Sequence, residues 1–344
     1  MEILSKDKYN EYEAFASSFC NTNFTQSIKW ISVKTDWKSE VIVSRDEKGK
    51  IVGGMLLLIR KKPNFLYAPR GPLFDYQNKA VFLDLLNGVK EIAKREHSYL
   101  FKIDPYILED NKEFDALCRS NGFKLNEKSL LPYQALQPRV NYIINIKDKT
   151  IDTVFENFHK KWRYNVRVAQ KHNVTCKEVG TSGLEDFYRL FSVTAKRDGF
   201  ICRPKEYFKK ILESFNGDVK LYLCYYENVA ISGAITSYFG NRCVYIYGAS
   251  DNNHRNVMPN YLMQYTMIKD AISCGCTVYD FMGISGYQDE NDKSYGVYKF
   301  KSGFGGEIAP YIGEYDYIFS PVKKAINDTL LSLRTFLLSK LRKK

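Results

Sequence analysis

The sequence lacks the motifs by which many cofactor-dependent enzymes are recognised. It contains no G-x-x-x-x-G-K-[ST] phosphate loop, no H-E-x-x-H metal motif and no G-x-S-x-G nucleophile turn. Its four histidines are isolated from one another in the sequence. These absences argue against redox and hydrolytic chemistry. They favour a transfer reaction that uses positioned cations and hydrogen bonds, with no metal and no cofactor.

Cysteine pairs and long apolar runs are also missing. None of the eight cysteines forms a C-x-x-C pair, so the pattern predicts reduced thiols and no structural zinc site. No run approaches the ~20 apolar residues of a membrane-spanning helix, and the mixed-charge N-terminus has no signal-peptide core. We therefore expect a cytoplasmic protein.

The chain is long, rich in apolar residues and basic. Its 344 residues exceed the roughly 250–300 at which a single core usually stops growing, which predicts two domains. A hydrophobic fraction of 44% excludes general disorder. The net charge of +12 favours phosphate-rich partners such as nucleic acid or an anionic membrane. The alternative is a basic surplus that serves only solubility.

Two segments share one order of predicted elements. Residues 40–104 and residues 220–281 each read as strand, turn, strand with glycine, strand, loop, helix and strand. Gly53 corresponds to Gly233, and Asp104 corresponds to Asp280. This order resembles the acyl-transfer core of the GNAT acetyltransferases. The loop SDNNHRNVMP, however, lacks the glycine-rich, basic pyrophosphate loop of that superfamily, so acyl-CoA is not the indicated donor.

The repeat predicts an α/β fold of two GNAT-like domains that arose by duplication, each with a mixed sheet flanked by helices. We expect the first domain to comprise residues 1–145 and a C-terminal helix at 318–344, and the second to comprise residues 146–317. The C-terminal helix begins near Ser320 and Pro321. Its apolar face carries Ile326, Leu330, Leu333, Leu337 and Leu341. We expect this face to pack on the first domain, and the alternative is contact with an anionic membrane.

A basic helix is predicted between the two copies. Lys160, Arg163, Arg167 and Lys171 recur at helical spacing, and a second face that we expect to be buried carries Trp162, Val166 and Ala169. The basic face is either a solvated surface or a stripe that contacts nucleic-acid phosphates. In the second case Arg163, Arg167 and Lys171 are candidate tRNA-binding residues.

Several motifs follow one another in a fixed order along the chain. The first half carries WISVKTDW, LYAPRGPLFD and FKIDP, and the second half carries TAKRDGFICRPKEY, GASDNNHRNVMPNYLMQ, YDFMGISG and YGVYKFKSGFGGE. Together they resemble the Fem family of peptidoglycan-bridge aminoacyltransferases. The chain is similar to the compact FemX type, since no segment has the length or heptads of the helical hairpin inserted in FemA and FemB.

The resemblance implies that the protein transfers an amino acid from aminoacyl-tRNA to an amine of a stem peptide. The acceptor is UDP-MurNAc-pentapeptide or lipid II, and the second case implies contact with the inner face of the membrane. Residues that match diphosphate-binding positions are Lys34, Arg203, Tyr207 and Tyr247. Such side chains supply charge and hydrogen bonds to phosphate oxygens. The alternative for Arg203 is a surface ion pair with Glu206 or Asp198.

Three further residues are candidates for the chemical step. We expect Lys301, held over the ring of Phe300, to neutralise the oxyanion or the departing 3′ end of tRNA. The glycines after it are expected to leave room for the RNA end. The alternative is a surface lysine on a strand before a glycine-rich turn. Asp104 is a candidate proton acceptor, or a carboxylate that only caps a turn before Pro105.

Two other functions stay open at this point. One is an acyl-CoA-dependent N-acyltransferase built on the same fold. The other is a non-catalytic protein that binds RNA or a membrane surface, for which the net charge of +12 is the main feature.

Overall fold

The computed structural model describes the backbone of residues 1–341 and the side chains of residues 1–333. Its strands, in chain order, are β1 (Glu2–Ile3), β2 (Lys38–Arg45), β3 (Ile51–Lys61), β4 (Asn64–Ala68), β5 (Leu73–Phe74), β6 (Leu100–Ile103), β7 (Phe123–Leu125), β8 (Val140–Asn145), β9 (Thr175–Glu178), β10 (Val219–Tyr226), β11 (Val229–Phe239), β12 (Arg242–Ser250), β13 (Val278–Gly283), β14 (Glu307–Pro310) and β15 (Tyr315–Ile318). Its α-helices are α1 (Tyr9–Ser18), α2 (Lys29–Val33), α3 (Lys79–Glu96), α4 (Lys112–Ser120), α5 (Ile151–Glu156), α6 (Lys160–Lys171), α7 (Leu184–Asp198), α8 (Lys205–Ser214), α9 (Pro259–Ser273), α10 (Tyr295–Ser302) and α11 (Pro321–Leu341).

The first of two compact units comprises residues 1–16, residues 34–137 and the chain from residue 312 onward. Its sheet has the order β1-β2-β3-β4-β6-β15-β7, with β5 paired on β3. β4 and β6 run parallel, and the other neighbours are antiparallel. The helix α3 buries Val81, Leu85, Val89 and Ile92, which recur every three or four residues and join the core of this unit.

The second unit comprises residues 17–33 and 138–311. Its sheet has the order β14-β8-β13-β12-β11-β10-β9, and β12 and β13 form its parallel pair. Pro259 begins α9, where a missing backbone N–H costs nothing. Leu262, Ile268 and Ala271 then bury one face of α9 in the core. The helix ends before Gly275, whose φ of 75° suits the left-handed turn there.

The pairing directions confirm the predicted fold class. In the first unit β2, β3, β4 and β6 pair as antiparallel, antiparallel and parallel, and β10, β11, β12 and β13 repeat this pattern in the second. A helix, α3 or α9, precedes the last strand of each set. Gly53 and Gly233 lie on the matching strands β3 and β11. Asp104 directly follows β6, and Asp280 lies inside β13 as its last residue paired with β12.

The unit boundaries differ from the predicted ranges 1–145, 146–317 and 318–344. Strand β8, before residue 146, pairs with β13 and β14 of the second sheet. Residues 315–317 of strand β15, which were predicted in the second domain, pair with β6 and β7 of the first sheet. Residues 17–33 join the second unit because Phe24 and Trp30 pack on Phe215. Strand partners of this kind are set by hydrogen bonds that the repeat pattern does not reveal.

The C-terminal helix α11 leaves its apolar face uncovered over the described side chains. Ile326, Leu330 and Leu333 are 55%, 58% and 53% exposed. Packing of this face on the first domain, favoured from the sequence, is therefore not seen there. Leu337 and Leu341 lie outside the described side chains. No helix among the described residues is long and apolar enough to cross a membrane.

Candidate active site

An opening between two parallel strands marks the second unit. Strands β12 and β13 pair only from Arg242 to Val244 on one side and from Val278 to Asp280 on the other. Beyond that point β12 continues to Ser250 without pairing β13. Its register with β11 shifts there, since Tyr247 opposes Ile235 while Tyr245 opposes Thr236. Such a bulge bends a strand and leaves backbone groups free for a ligand.

Lys301 lies in the last turn of α10 and is only 7% exposed. Its Nζ donates a hydrogen bond to the carbonyl oxygen of Gly283, at the end of β13, at 2.8 Å. The alternative of a surface lysine on a strand is therefore wrong. The hydrogen bond fixes one donor of the ammonium at the end of β13, beyond the residues that pair with β12.

Burial changes the acidity of this lysine. Loss of water around the ammonium lowers the pKa of Lys301 to about 8, and the charge of Asp280 opposes that shift. A lysine with such a pKa is a cation at neutral pH and can give up its proton more readily than an exposed one. These two properties are those needed to neutralise an oxyanion and to protonate a leaving oxygen.

Phe300 does not carry the ammonium on its ring. Its ring meets those of Tyr261 and Phe304 edge-on at 5.4 and 5.2 Å, and its carbonyl oxygen accepts a hydrogen bond from Trp162 Nε1 at 2.8 Å. Among the described residues no aromatic ring makes a cation–π contact with Lys301. The expected cation–π contact is thus replaced by the Gly283 hydrogen bond, and Phe300 anchors α10 in the core.

The glycines after Lys301 are packed against the protein itself. A Cβ atom on Gly303 would lie 2.3 Å from the Trp162 ring, and one on Gly306 would lie 2.1 Å from the Ile143 carbonyl oxygen. Gly305 has a φ of 74° and would meet the Asn157 oxygen at 2.3 Å. The space these glycines leave is filled by neighbouring chain, which corrects the expectation that it is reserved for an RNA end.

Arg203, Tyr207 and Tyr247 come together on the second unit. The Arg203 guanidinium lies 4.6 Å from the centre of the Tyr207 ring, and Tyr247 Oη donates to Tyr207 Oη at 3.3 Å. Burial raises the pKa of Tyr207, with Tyr247 adding to the effect, so its hydroxyl stays protonated. No carboxylate among the described residues pairs with Arg203, which disfavours the alternative of an ion pair with Glu206 or Asp198. One exposed cation and two hydroxyls thus stand side by side.

Asp104 is a buried carboxylate of the first unit. It accepts hydrogen bonds from the Tyr67 hydroxyl and the Arg70 backbone N–H, both at 2.7 Å. Burial raises the pKa of Asp104 to about 6, against the opposing effects of Arg70 and Tyr67. It therefore holds a turn upstream of itself rather than a turn before Pro105. Lys34, also in the first unit, follows α2 and is half-buried, and its carbonyl oxygen accepts from Trp37 N at 2.9 Å.

The basic helix α6 is exposed in part. Trp162, Val166 and Ala169 are buried, as predicted. Arg163 donates to the carbonyl oxygens of Glu156 and Phe158, each at 2.6 Å, so it caps the end of α5. The other residues of the predicted basic stripe, Lys160, Arg167 and Lys171, are exposed to solvent. Arg167 also contacts the Phe155 ring.

Sequence reasoning missed the polar residues beneath Lys301. Asp280 is fully buried, and its partners include Arg242 and Asn141. Two signals could have pointed to Asp280, namely its correspondence with Asp104 in the repeat and its place in the motif YDFMGISG. No group of three His, Cys, Asp or Glu residues in the described part of the chain is placed to hold a metal ion.

Comparison with known proteins gives the family. The sequence model of the FemAB family matches residues 8–228 and 224–330, which is most of the chain. The chain belongs to the FemAB family. It is thus an aminoacyltransferase of peptidoglycan bridge synthesis, as its motifs predicted.

Relatives of this FemAB protein agree along nearly its whole length. A lipid II:glycine glycyltransferase of Staphylococcus aureus is 31% identical, over 90% of this chain and 91% of the relative. The alignment spans 388 positions, more than the 344 residues here, so the relative carries insertions that this chain lacks. The crystal structure of FemX is 30% identical and superposes with a TM-score of 0.88, over 95% of this chain and 100% of FemX.

A more distant structure supports the fold alone. A tandem GNAT protein from the clavulanic acid pathway superposes with a TM-score of 0.56 at 8% identity, over 93% of this chain and 98% of that chain. Two GNAT-like domains are therefore confirmed. The longest helices described in the second unit, α7 and α9, have 15 residues each, so this FemAB protein has no long helical hairpin there, as predicted.

Proposed function

We propose that this FemAB protein moves an aminoacyl group from aminoacyl-tRNA to a stem-peptide amine of UDP-MurNAc-pentapeptide or lipid II, with Lys301 as the catalytic cation. The observation that carries the proposal is the buried Lys301 ammonium, held on Gly283 at the end of β13. A positive charge in a dry, fixed position is well suited to stabilise a developing oxyanion.

The reaction makes one bond and breaks one. The amine nitrogen attacks the ester carbonyl, and an amide forms as the bond to the ribose oxygen of tRNA breaks. In between, negative charge collects on the carbonyl oxygen, where the Lys301 ammonium neutralises it. The ribose oxygen leaves with a proton, which a lysine with a pKa of about 8 can donate. Because the ester is already activated, no further cofactor enters.

The remaining proton is released by the attacking amine. Asp104 is the candidate acceptor, and its pKa of about 6 leaves it ionised at neutral pH. A second possibility is that the tRNA ribose or the precursor accepts this proton. The pH dependence of transfer by Asp104→Asn distinguishes the two.

The cluster of Arg203, Tyr207 and Tyr247 is suited to the precursor's diphosphate. The guanidinium offers paired N–H donors, and its contact with the Tyr207 ring limits its movement. The Tyr207 and Tyr247 hydroxyls add hydrogen bonds beside it. Lys34 stays a predicted ligand of the same diphosphate.

The donor RNA is proposed to contact the exposed charges of α6. Arg167 and Lys171 face solvent one turn apart, together with Lys160, and can meet successive phosphates. Arg163 is a poorer candidate than the sequence indicated, since its guanidinium already caps α5.

The α11 helix is proposed to touch an anionic membrane surface, where lipid II resides. Val322, Ile326, Leu330 and Leu333 form an exposed apolar stripe, and residues 321–344 carry seven basic residues and one acidic residue.

We expect binding to vesicles that contain phosphatidylglycerol and not to phosphatidylcholine vesicles. Leu330→Asp should abolish the binding, and Ser332→Asp on the opposite face should not. Equal binding by both variants would refute the contact.

Donor choice tests the proposed function. The protein is incubated with UDP-MurNAc-pentapeptide, or with lipid II in vesicles, and either labelled glycyl-tRNA or labelled acetyl-CoA. Glycyl-tRNA is the first donor to try because the Staphylococcus aureus relative is named a glycyltransferase. Label from tRNA on the peptide supports the proposal, and label from acetyl-CoA alone supports the N-acyltransferase alternative. If glycyl-tRNA gives no transfer, a panel of other aminoacyl-tRNAs is tried next. RNA binding without transfer from any of these donors would support a binding protein.

A further inference from the structure

Asp280 is a carboxylate enclosed by donors at the point where β12 and β13 separate. It is fully buried, and Arg242 Nη1 lies 3.1 Å from Oδ2. Asn141 Nδ2 donates to Oδ1 at 3.0 Å and to Oδ2 at 3.1 Å. The backbone N–H of Met282 donates to Oδ1 at 2.7 Å. Burying a carboxylate costs free energy unless hydrogen bonds and an opposite charge compensate it. The contacts with Arg242, Asn141 and Met282 supply that compensation.

A continuous path leads from this carboxylate to Lys301. The Met282 N–H bond holds a residue with a φ of 63°, a left-handed conformation that is unfavourable for methionine. At this place the register of β13 with β8 shifts between Asp280 and Gly283. The Gly283 carbonyl, turned out by that irregularity, accepts the hydrogen bond of Lys301 Nζ.

The charge of Asp280 also acts on the Lys301 ammonium. Asp280 is the charged group whose field opposes the effect of burial on Lys301. Neighbouring strands add Arg242 of β12, which pairs with Asp280, and Tyr142 of β8, whose hydroxyl binds the Ser302 oxygen and the Gly306 N–H. A single carboxylate thus affects both the location of the ammonium and its protonation.

We propose that Asp280 is a positioning residue for Lys301, because it holds the Met282–Gly283 backbone that receives the lysine. The proposal rests on the proposed catalytic role of Lys301. In the first unit the corresponding Asp104 binds Tyr67 and the left-handed Arg70 instead, so the two copies use corresponding carboxylates for different purposes.

The test uses the full chain with Asp280→Asn and Arg242→Met combined. Asparagine keeps an acceptor for Met282, and removal of Arg242 avoids leaving an unpaired buried cation. We expect kcat to fall about tenfold with KM for both substrates unchanged, since a misplaced cation weakens only the transition state. Reductive methylation of Lys301 at pH 7, followed by mass spectrometry, should become about threefold faster, since loss of the Asp280 charge leaves more of the lysine as the neutral amine that the reagent attacks.

Asn141→Ala gives a second test that retains the Asp280–Arg242 pair. If the double variant does not fold, this variant should change kcat and the methylation rate in the same directions by a smaller factor, about threefold in kcat. A folded variant whose kcat and methylation rate both stay within twofold of the unaltered protein would overturn the proposal. Absence of transfer by the unaltered protein would instead overturn the proposed function, while methylation rates would still decide the role of Asp280.

Discussion

Replacing Lys301 by methionine should produce a protein that is inactive yet more stable. Lys301 is 7% exposed, and burial lowers its pKa from 10.5 to about 8. A difference of about 2.5 units corresponds to about 3 kcal/mol of unfavourable free energy for holding the charged form in the folded protein. Methionine leaves the Gly283 carbonyl without its donor, which costs about 1 kcal/mol. The expected net gain in the free energy of unfolding is about 2 kcal/mol at pH 7.

The pH dependence of that gain has a definite sign. Below pH 8 the lysine is charged in both the folded and the unfolded chain, so the folded protein bears the full cost. Between about 8 and 10.5 only the unfolded chain keeps the proton, and the unaltered protein gains stability relative to the variant as pH rises. The advantage of Lys301→Met should therefore be largest below pH 8, reach zero at about pH 10, where the remaining cost of the charge equals the loss of about 1 kcal/mol from the Gly283 hydrogen bond, and reverse above that pH.

Urea unfolding at a series of pH values measures this difference directly. Lys299→Met is the matched control, because Lys299 lies in the same helix and is exposed, so its stability should stay within about 0.5 kcal/mol of the unaltered protein. A Lys301→Met protein that is less stable at pH 7, or whose difference is independent of pH, would refute the account of a buried, destabilised cation.

Three further predictions concern other positions. Transfer should rise with pH through about 6, since Asp104 accepts a proton only as a carboxylate, and Asp104→Asn should remove that rise in a pH–rate profile. Arg203→Ala should raise KM for UDP-MurNAc-pentapeptide at least about tenfold while kcat stays within about twofold, and an unchanged KM would exclude the diphosphate site. Gly305→Ala should lower stability by at least about 2 kcal/mol in thermal unfolding, whereas Gly296→Ala, with open space around it, should not.

The fold was predictable because both copies of the repeat show alternating apolar and polar residues in the strands, turn-forming residues between them and helical periodicity in the helix. The segment 220–281 shows this well, since its predicted strands and helix correspond to β10 through β13 and α9. Strand partners were not predictable to the same degree. β8 and most of β15 each pair with the sheet on the other side of a predicted domain boundary, because their partners are chosen by backbone hydrogen bonds to distant residues.

The site was predictable as residue identities more than as geometry. The motif YKFKSGFGGE identified Lys301, but its predicted cation–π partner was wrong, since Lys301 lies at a buried helix end and donates to the Gly283 carbonyl oxygen. The glycines, expected to leave space for RNA, instead admit Trp162 and the backbone of β8. Asp280 lies inside the quoted motif YDFMGISG, but its role became visible only through its contacts with Arg242 and Met282.

Single-turnover transfer by the Lys301→Met protein tests the central claim most directly. Labelled aminoacyl-tRNA and saturating precursor are mixed with the unaltered protein, with Lys301→Met and with Lys299→Met, and amide formation on the stem peptide is followed over time. The account predicts a rate for Lys301→Met at least about 100-fold below that of the other two, with precursor binding unchanged. A rate within about threefold of the unaltered protein would contradict it.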